Sequence, residues 1–173
     1  MNKKFKVACV QLNTKQSITR NLNHLIKYIN KAIAKNSKLI ITPETSNIIS
    51  LQKRDLKKVV RKEKDDSFLE SIKKISKKEK VWILIGSLVV LDRKNNIRNR
   101  SYLINDMGKV AAYYDKIHMF DIKISDKEWY KESNTFLAGN KTKVVDTPWG
   151  KIGMSICYDI RFPNLYRELS QAG

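Results

Sequence analysis

The chain has 173 residues, a hydrophobic content of 42% and a formal net charge of +18. This length is typical of one domain, and the composition excludes a disordered chain. No apolar run is long enough to span a bilayer and the N-terminal residues lack a signal-peptide core, so we expect a cytoplasmic protein. The two cysteines, Cys9 and Cys157, are too few for a disulfide framework and are expected to be free thiols.

The positive charge suggests nucleic-acid binding, because clustered Lys and Arg side chains attract phosphates. Lysine outnumbers arginine by 27 to 8, and the lysines are spread over several predicted helix faces. Arginine is the side chain that best recognises phosphates and bases through paired hydrogen bonds. We interpret most of the charge as a solvated surface and expect no specific nucleic-acid partner, while a functional basic patch stays an open alternative.

The N-terminal part of the sequence predicts a β-α-β unit. Residues 5–12 form a strand with apolar side chains on both faces, which indicates a central strand of a sheet. A helix capped by Thr19 follows, with apolar residues at three- and four-residue spacing as far as Ile33. The second strand covers residues 38–42, and the helical crossover predicts that it is parallel to the first.

The middle of the sequence predicts a second helix and an antiparallel meander. The charged segment 51–64 has a weak apolar stripe and fits either an exposed helix or a loop. A clearer helix begins at residue 66 or 67, and a strongly apolar strand covers 81–91. Two tight turns then join strands over 98–106 and 110–114. The order is β-α-β-α-β followed by a meander, so we expect an α/β fold with a mixed sheet.

Three reactive side chains follow predicted strands at the points where those strands end. Glu44 comes after the second strand, Lys116 after the strand over 110–114, and Cys157 after a strand over 151–156. In open α/β sheets, ligands bind beyond the carboxyl ends of the strands, so these side chains are candidates for one site. Each also has a simpler interpretation, as a solvated turn carboxylate, a surface lysine and a small core thiol respectively.

The position of Cys157 is the most informative of the three. Apolar side chains alternate with small or polar ones up to the thiol, and a helix is predicted to begin at Pro163 and to end at Gly173. A thiol at such a corner is accessible to a substrate. It is also close to helix-terminal N–H groups, which are expected to stabilise the thiolate.

The three residue types have complementary chemistry. A thiolate can attack an amide or nitrile carbon if a base removes its proton and donors stabilise the developing negative charge. Glu44 is the candidate base, Cys157 the nucleophile, and Lys116 with the backbone N–H of Tyr158 the oxyanion donors. This chemistry requires no metal and no cofactor. The segment 121–135 has no sustained periodicity and is predicted to be a long ordered loop.

The order of these motifs resembles the nitrilase superfamily of carbon–nitrogen hydrolases. The similar phrases are Pro-Glu-Thr (43–45), Lys-Ile-His-Met-Phe-Asp (116–121), Glu-Ser-Asn-Thr (132–135), Asp-Thr-Pro-Trp-Gly-Lys-Ile-Gly (146–153) and Cys-Tyr-Asp-Ile-Arg-Phe-Pro (157–163). Together they extend over nearly all of the chain. They are most similar to the branch that contains omega-amidase and deaminated-glutathione amidase.

The resemblance implies an αββα sandwich with mixed sheets and a Glu-Lys-Cys triad at Glu44, Lys116 and Cys157. The implied reaction converts an amide into a carboxylate and ammonia through a thioester on the cysteine. A second glutamate, matched by Glu132 and not by the nearby Glu128, is implied to position the amide and to support the lysine. The implied partners are a small-molecule amide and, for a complete domain, a second copy of the chain in a homodimer.

Members of the superfamily continue beyond the helix that follows the nucleophile, whereas this sequence ends at Gly173. We therefore expect residues 1–173 to be the N-terminal part of a single carbon–nitrogen hydrolase domain that is incomplete at its C-terminus. Two alternatives to an autonomous hydrolase stay open: an inactive truncated remnant, and a subunit that requires a complementary C-terminal chain. A basic nucleic-acid-binding protein is a weaker alternative, and the sequence does not identify the amide.

Overall fold

The computed structural model describes residues 4–49, 52–126 and 128–173. The strands are β1 (Val7–Cys9), β2 (Leu39–Ile41), β3 (Trp82–Leu91), β4 (Ile97–Ile104), β5 (Val110–Asp115), β6 (Asp121–Ser125), β7 (Glu128–Lys131), β8 (Val144–Thr147) and β9 (Gly150–Gly153). The α-helices are α1 (Ile18–Ala34), α2 (Lys53–Val59), α3 (Ser67–Glu79) and α4 (Pro163–Gln171). Short 3₁₀ turns cover Glu63–Asp65, Glu132–Asn134 and Cys157–Arg161. None of the helices in these ranges has the length and hydrophobicity needed to cross a membrane.

One five-stranded sheet organises the molecule, with the strand order β1-β2-β3-β4-β5. The first three strands are parallel, and β3, β4 and β5 form an antiparallel meander. The predicted mixed sheet and the predicted β-α-β-α-β order are therefore confirmed. Helix α1 begins two residues earlier than predicted, because Ser17 and not Thr19 caps it by accepting a hydrogen bond from the Arg20 N–H.

The two faces of this sheet are covered differently. Helices α1 and α3 pack on one face and form the larger apolar core, which includes Leu25, Ile29, Phe68, Ile72, Ile83 and Ile85. On the other face the segment around the β8–β9 hairpin buries Met154 and Ile156 against Leu103 and Tyr114. Helix α4 lies outside β9, where Leu169 contacts Gly153. These layers correspond to the αββα arrangement that the sequence predicted.

Two predictions about individual segments are wrong. Strand β1 lies at the edge of the five-stranded sheet and not at its centre, and Val7 and Cys9 on one of its faces are exposed. Apolar residues on both faces of a strand predict that each face can be buried. They do not show that this chain supplies the elements that pack on both faces. The segment 121–135 is not a loop, because β6 and β7 pair as an antiparallel hairpin.

Candidate active site

The turn after β2 holds Glu44 in a fixed position. Thr45 has a left-handed backbone with φ of 49°, and its N–H donates to Ser87 Oγ at 2.7 Å. Gly86 lies against the same turn, where a Cβ atom would be 2.1 Å from the Thr42 carbonyl oxygen. Because only glycine allows β3 to approach this closely, Gly86 and Ser87 together define the path of the chain around Glu44.

Lys116 directly follows β5 and lies inside the molecule. Its N–H donates to the Asn99 carbonyl at 3.0 Å, and its own carbonyl accepts from the Gly139 N–H at 2.8 Å. Gly139 is another close approach, since a Cβ atom there would be 2.3 Å from the Asp115 carbonyl oxygen. The alternative of a surface lysine is therefore wrong, because Lys116 is only 2% exposed.

Lys116 lies between two glutamates. Its Nζ donates to Glu44 Oε1 at 2.9 Å and to Glu132 Oε2 and Oε1 at 2.9 and 3.1 Å. Burial favours the neutral amine, but the two carboxylate charges outweigh that effect and raise the pKa of Lys116. The lysine is thus a permanent cation in a buried ion cluster.

Glu132 is placed by the 3₁₀ turn that follows β7. It is 6% exposed, and its Oε2 also accepts from the Phe120 N–H at 2.7 Å. Glu128, the neighbouring acidic residue, is exposed. The structure therefore brings Glu132, and not Glu128, together with Glu44 and Lys116.

Asn99 is a member of this cluster that the sequence analysis did not identify. It lies in β4, and its Nδ2 donates to Glu44 Oε1 at 2.8 Å and to Glu132 Oε1 at 3.3 Å. A polar residue on the same strand face as Ile97 and Leu103 was the available signal. We refer to Glu44, Asn99, Lys116 and Glu132 as the polar cluster.

Cys157 begins a 3₁₀ turn at the end of the second apolar layer. Its backbone is left-handed with φ of 48°, and the residue is exposed. A non-glycine residue in this conformation is strained and persists only where its surroundings hold it. The alternative of a small core thiol is therefore wrong, and the side chain is accessible to a substrate. We refer to residues 156–162 as the nucleophile corner.

Asp159 holds the nucleophile corner against the sheet and was also missed by the sequence analysis. The carboxylate is fully buried and accepts from the Ile156 N–H at 2.9 Å, the His118 N–H at 3.0 Å and the Tyr114 hydroxyl at 2.7 Å. It thereby connects the residue before Cys157 to β5 and to the segment that follows Lys116. The available signal was an acidic residue at the third position of a predicted turn.

The electrostatic environment of Cys157 differs from the sequence prediction of a stabilised thiolate. Partial burial raises the pKa of Cys157, and the charge of the Glu44 carboxylate raises it further, while Lys116 opposes the shift. The neutral thiol is thus favoured at rest. A carboxylate that lines the same cavity as the thiol is the candidate base for its proton.

A cavity of about 290 Å³ adjoins the two parts of the site, and its lining includes Glu44, Ser155 and Cys157. Tyr158 is the second residue of the 3₁₀ turn, so its N–H belongs to the first-turn donors that lack an acceptor within the turn. The ring of Tyr158 packs edge-on against Phe120 at 4.9 Å and Phe162 at 5.5 Å. Within the described ranges, no group of three or more His, Cys, Asp or Glu residues is arranged to hold a metal ion.

Comparison with known proteins agrees with this architecture. The sequence profile of the carbon–nitrogen hydrolase family matches residues 6–173. The chain is 33% identical to the deaminated glutathione amidase of Yersinia enterocolitica over 177 residues, which covers 99% of this chain and 60% of that protein. It is 32% identical to the omega-amidase NIT3 of Saccharomyces cerevisiae over 171 residues, which covers 95% of this chain and 59% of that protein. The chain thus spans about three fifths of the length of these two relatives.

Solved structures show the same fold. The NitFhit protein of C. elegans superimposes with a TM-score of 0.89 at 28% identity, over 98% of this chain and 42% of that chain. Nit3 of Saccharomyces cerevisiae, a member of branch 10 of the nitrilase superfamily, superimposes with a TM-score of 0.82 at 30% identity, over 97% of this chain and 60% of that chain. Because the family profile covers nearly the whole chain and the fold agrees, the protein belongs to the carbon–nitrogen hydrolase family, within the nitrilase superfamily.

Proposed function

We propose that this protein hydrolyses a small-molecule amide to a carboxylate and ammonia, with Cys157 as the nucleophile. The observation that carries the proposal is the buried Lys116 between Glu44 and Glu132, next to an exposed thiol that lines the same cavity as Glu44. A buried ion cluster contributes little net stability compared with apolar packing. Its presence at the ends of strands beside a nucleophile is therefore better explained by catalysis.

In the first half-reaction, Glu44 accepts the proton of the Cys157 thiol as the sulfur attacks the amide carbon. The C–S bond forms and the carbonyl oxygen becomes negative. Lys116 and the Tyr158 N–H donate to this oxygen, and the loss of one such donor typically lowers the rate by about 10²–10³-fold. The C–N bond then breaks, and Glu44 returns the proton to the departing nitrogen, which leaves as ammonia.

In the second half-reaction, a water molecule attacks the thioester carbon. Glu44 accepts one proton of this water, and the same donors hold the new oxyanion. The C–S bond breaks, the Cys157 sulfur regains a proton from Glu44, and the acid product is released as the carboxylate after its remaining proton passes to solvent. Glu132 fixes the Lys116 ammonium throughout, because it accepts two of its hydrogen bonds. A base of this kind typically contributes about 10²–10⁴-fold to the rate.

The names of the relatives support the choice of amides as the substrate class. The Yersinia relative is a deaminated glutathione amidase and the yeast relative an omega-amidase, and both names describe hydrolysis of an amide. The protein's own amide is not identified by these names. Small omega-amides are the first compounds to test, because they are chemically simple members of the class.

The test of this proposal measures ammonia release and thiol labelling in the same preparation. We expect the purified chain to release ammonia from a small omega-amide and to be labelled at Cys157 by an electrophile. Cys157→Ala should lose both properties, whereas Cys9→Ser should keep both because Cys9 lies on the exposed face of β1, away from the polar cluster. A chain that releases no ammonia and is not labelled at Cys157 would refute autonomous catalysis.

A second candidate is a subunit whose activity requires a complementary chain, and the exposed apolar side chains at β1 favour it. Phe5 is 38% exposed and Val7 is 41% exposed at the edge of the sheet. This candidate predicts a weakly cooperative thermal transition for the isolated chain. A sharp, fully cooperative transition together with ammonia release would exclude it.

The remaining features of the proposal concern the assembly and its location. We propose that residues 1–173 are the N-terminal part of one hydrolase domain, that the complete domain forms a homodimer, and that the protein acts in the cytoplasm with no specific nucleic-acid partner. Light scattering coupled to size exclusion tests the dimer, and fractionation of cells tests the location. A steep salt dependence of binding to duplex DNA, together with a site preference, would instead indicate a functional basic patch.

A further inference from the structure

The side chain of Asn99 joins the two glutamates of the polar cluster without belonging to the triad or touching the thiol. It is 2% exposed, and its single Nδ2 donates to Glu44 Oε1 at 2.8 Å and to Glu132 Oε1 at 3.3 Å. Glu44 and Glu132 come from different turns, 55 and 33 residues away from Asn99 in the sequence. One amide group in β4 therefore bridges the same two carboxylates that Lys116 bridges.

The orientation of this amide is fixed by charge. An ionised carboxylate only accepts hydrogen bonds, so the NH₂ end of Asn99 must face the two glutamates. This orientation leaves Asn99 Oδ1 buried without a hydrogen-bond partner, the one such side-chain atom found in the described part of the chain. A half-satisfied buried amide is unfavourable for stability alone. The presence of Asn99 is therefore better explained by the hydrogen bonds of its Nδ2 to the two glutamates than by packing.

The two oxygens of Glu44 have different hydrogen-bonding roles. Oε1 accepts both Asn99 Nδ2 at 2.8 Å and Lys116 Nζ at 2.9 Å. Two donors on one oxygen fix the rotation of the carboxylate plane about its terminal torsion, which is otherwise soft. The second oxygen takes no part in these bonds, and the Glu44 side chain is 30% exposed at the cavity that Cys157 also lines. That oxygen is the one available to the thiol.

We propose that Asn99 is a positioning residue that locks the Glu44 carboxylate so that one oxygen serves Lys116 and the other serves Cys157. This inference rests on the proposed function, in which Glu44 is the base. The residues that line the cavity include Glu44 and Cys157 but not Asn99. Loss of Asn99 should therefore impair the chemical step and leave substrate binding nearly unchanged.

The test compares Asn99 with a matched buried asparagine outside the site. Asn21 is 3% exposed, and its Nδ2 also donates to two acceptors, the carbonyls of Lys15 at 2.7 Å and Asn47 at 2.9 Å. Asn99→Ser and Asn21→Ser each remove a two-bond donor from the interior. Only in Asn99→Ser are the acceptors that lose their donor carboxylates.

Two measurements are made on the full chain in a Cys9→Ser background. For a small omega-amide, we expect Asn99→Ser to lower kcat by about tenfold or more, as for a misdirected base, while KM changes by less than about twofold. For alkylation of Cys157 by iodoacetamide, we expect the pH profile to move upward by about half a unit or more, because Glu44 loses a donor and faces the thiol with more charge. Asn21→Ser should lower the melting temperature and leave kcat and the alkylation profile unchanged.

Each outcome decides the question. An Asn99→Ser profile that coincides with that of the wild-type chain, with kcat unchanged, overturns the positioning role and leaves the proposed function intact. A wild-type chain that releases no ammonia and is not alkylated at Cys157 overturns the proposed function and this inference together. If Asn99→Ser does not fold, the isosteric Asn99→Asp takes its place, and its added charge should move the profile further upward.

Discussion

The polar cluster and the nucleophile corner are built in contrasting ways. Asn99, Lys116 and Glu132 of the polar cluster are buried, and Glu44 is partly exposed. The residues of the cluster follow or belong to β2, β4, β5 and β7, with close backbone contacts on either side. The nucleophile corner carries an exposed thiol on a strained turn between a two-stranded hairpin and α4. The charged groups are thus part of the folded core, while the reacting atom lies where a substrate can reach it.

Strand β5 connects these two regions. Tyr114, in this strand, donates to the buried Asp159 of the nucleophile corner at 2.7 Å, and Lys116 follows the same strand two residues later. The distance between nucleophile and ion cluster is therefore set by one short segment. We expect mutations in the polar cluster to affect stability and chemistry together, and mutations of the thiol itself to affect chemistry alone.

The largest expected effect on stability comes from Lys116→Met, which leaves the buried Glu132 and the partly exposed Glu44 without their shared cation. Removal of one partner of a buried pair typically costs about 3–5 kcal/mol, so the free energy of unfolding should fall by that amount. Urea denaturation followed by circular dichroism measures the change. Lys73→Met, which removes an exposed lysine paired with Glu70, is the control and should leave the midpoint nearly unchanged.

Cys157→Ala tests the nucleophile corner in the same comparison. Both residues carry a Cβ atom, so the strain of the left-handed backbone is the same, and the exposed thiol contributes little to packing. We expect the free energy of unfolding to change by less than about 1 kcal/mol while ammonia release is lost. A loss of stability as large as that of Lys116→Met would show that the two regions are not built differently.

The next largest effect is expected from Gly86→Ala. The new Cβ atom would be 2.1 Å from the Thr42 carbonyl oxygen. This oxygen belongs to the backbone beside a central strand, so it cannot move away freely. We expect a loss of about 3 kcal/mol in the free energy of unfolding, together with displacement of Glu44. Gly153→Ala is the counterpart in the second layer. Its nearest contacts are side-chain atoms of Leu169 at 3.1 and 3.2 Å, so we expect a loss below about 1 kcal/mol in the same urea titration.

A smaller effect is expected from Tyr114→Phe, which removes a hydroxyl that donates to Asp159. The buried carboxylate keeps the donors Ile156 and His118 but loses one hydrogen bond, which typically costs about 1–2 kcal/mol. Thermal unfolding should show a lower midpoint, and alkylation of the thiol should become slower as the corner loosens. Tyr113→Phe is the control, because Tyr113 is half exposed in the same strand and should change neither quantity.

The sequence predicted the polar residues at strand ends because apolar strands end abruptly at Glu44, Lys116 and Cys157. The structure brings Glu44 and Lys116 within hydrogen-bond distance and places Cys157 at the cavity that Glu44 lines. The order of elements and the mixed sheet followed from hydrophobic periodicity. Glu132 came from the resemblance, since its own segment shows no periodicity.

Other features could not be obtained from local patterns. Asn99 and Asp159 act through partners distant in the sequence, and nothing in their neighbourhoods shows which groups they will contact. The exposed face of β1 was misjudged because an apolar pattern does not say which layer covers it. The direction of the Cys157 pKa shift was misjudged as well, because partial burial and then the Glu44 carboxylate raise this pKa.

The most direct test of the central claim, that Glu44 and Cys157 belong to one reaction centre, is the pH dependence of Cys157 alkylation in Glu44→Gln. Partial burial and the negative charge of Glu44 both raise the pKa of the thiol, so removal of that charge should move the iodoacetamide profile to lower pH. The variant should thus be alkylated faster at neutral pH while its release of ammonia falls. Coincident profiles for the variant and the wild-type chain would contradict the account, because they would show that Glu44 does not act on the thiol.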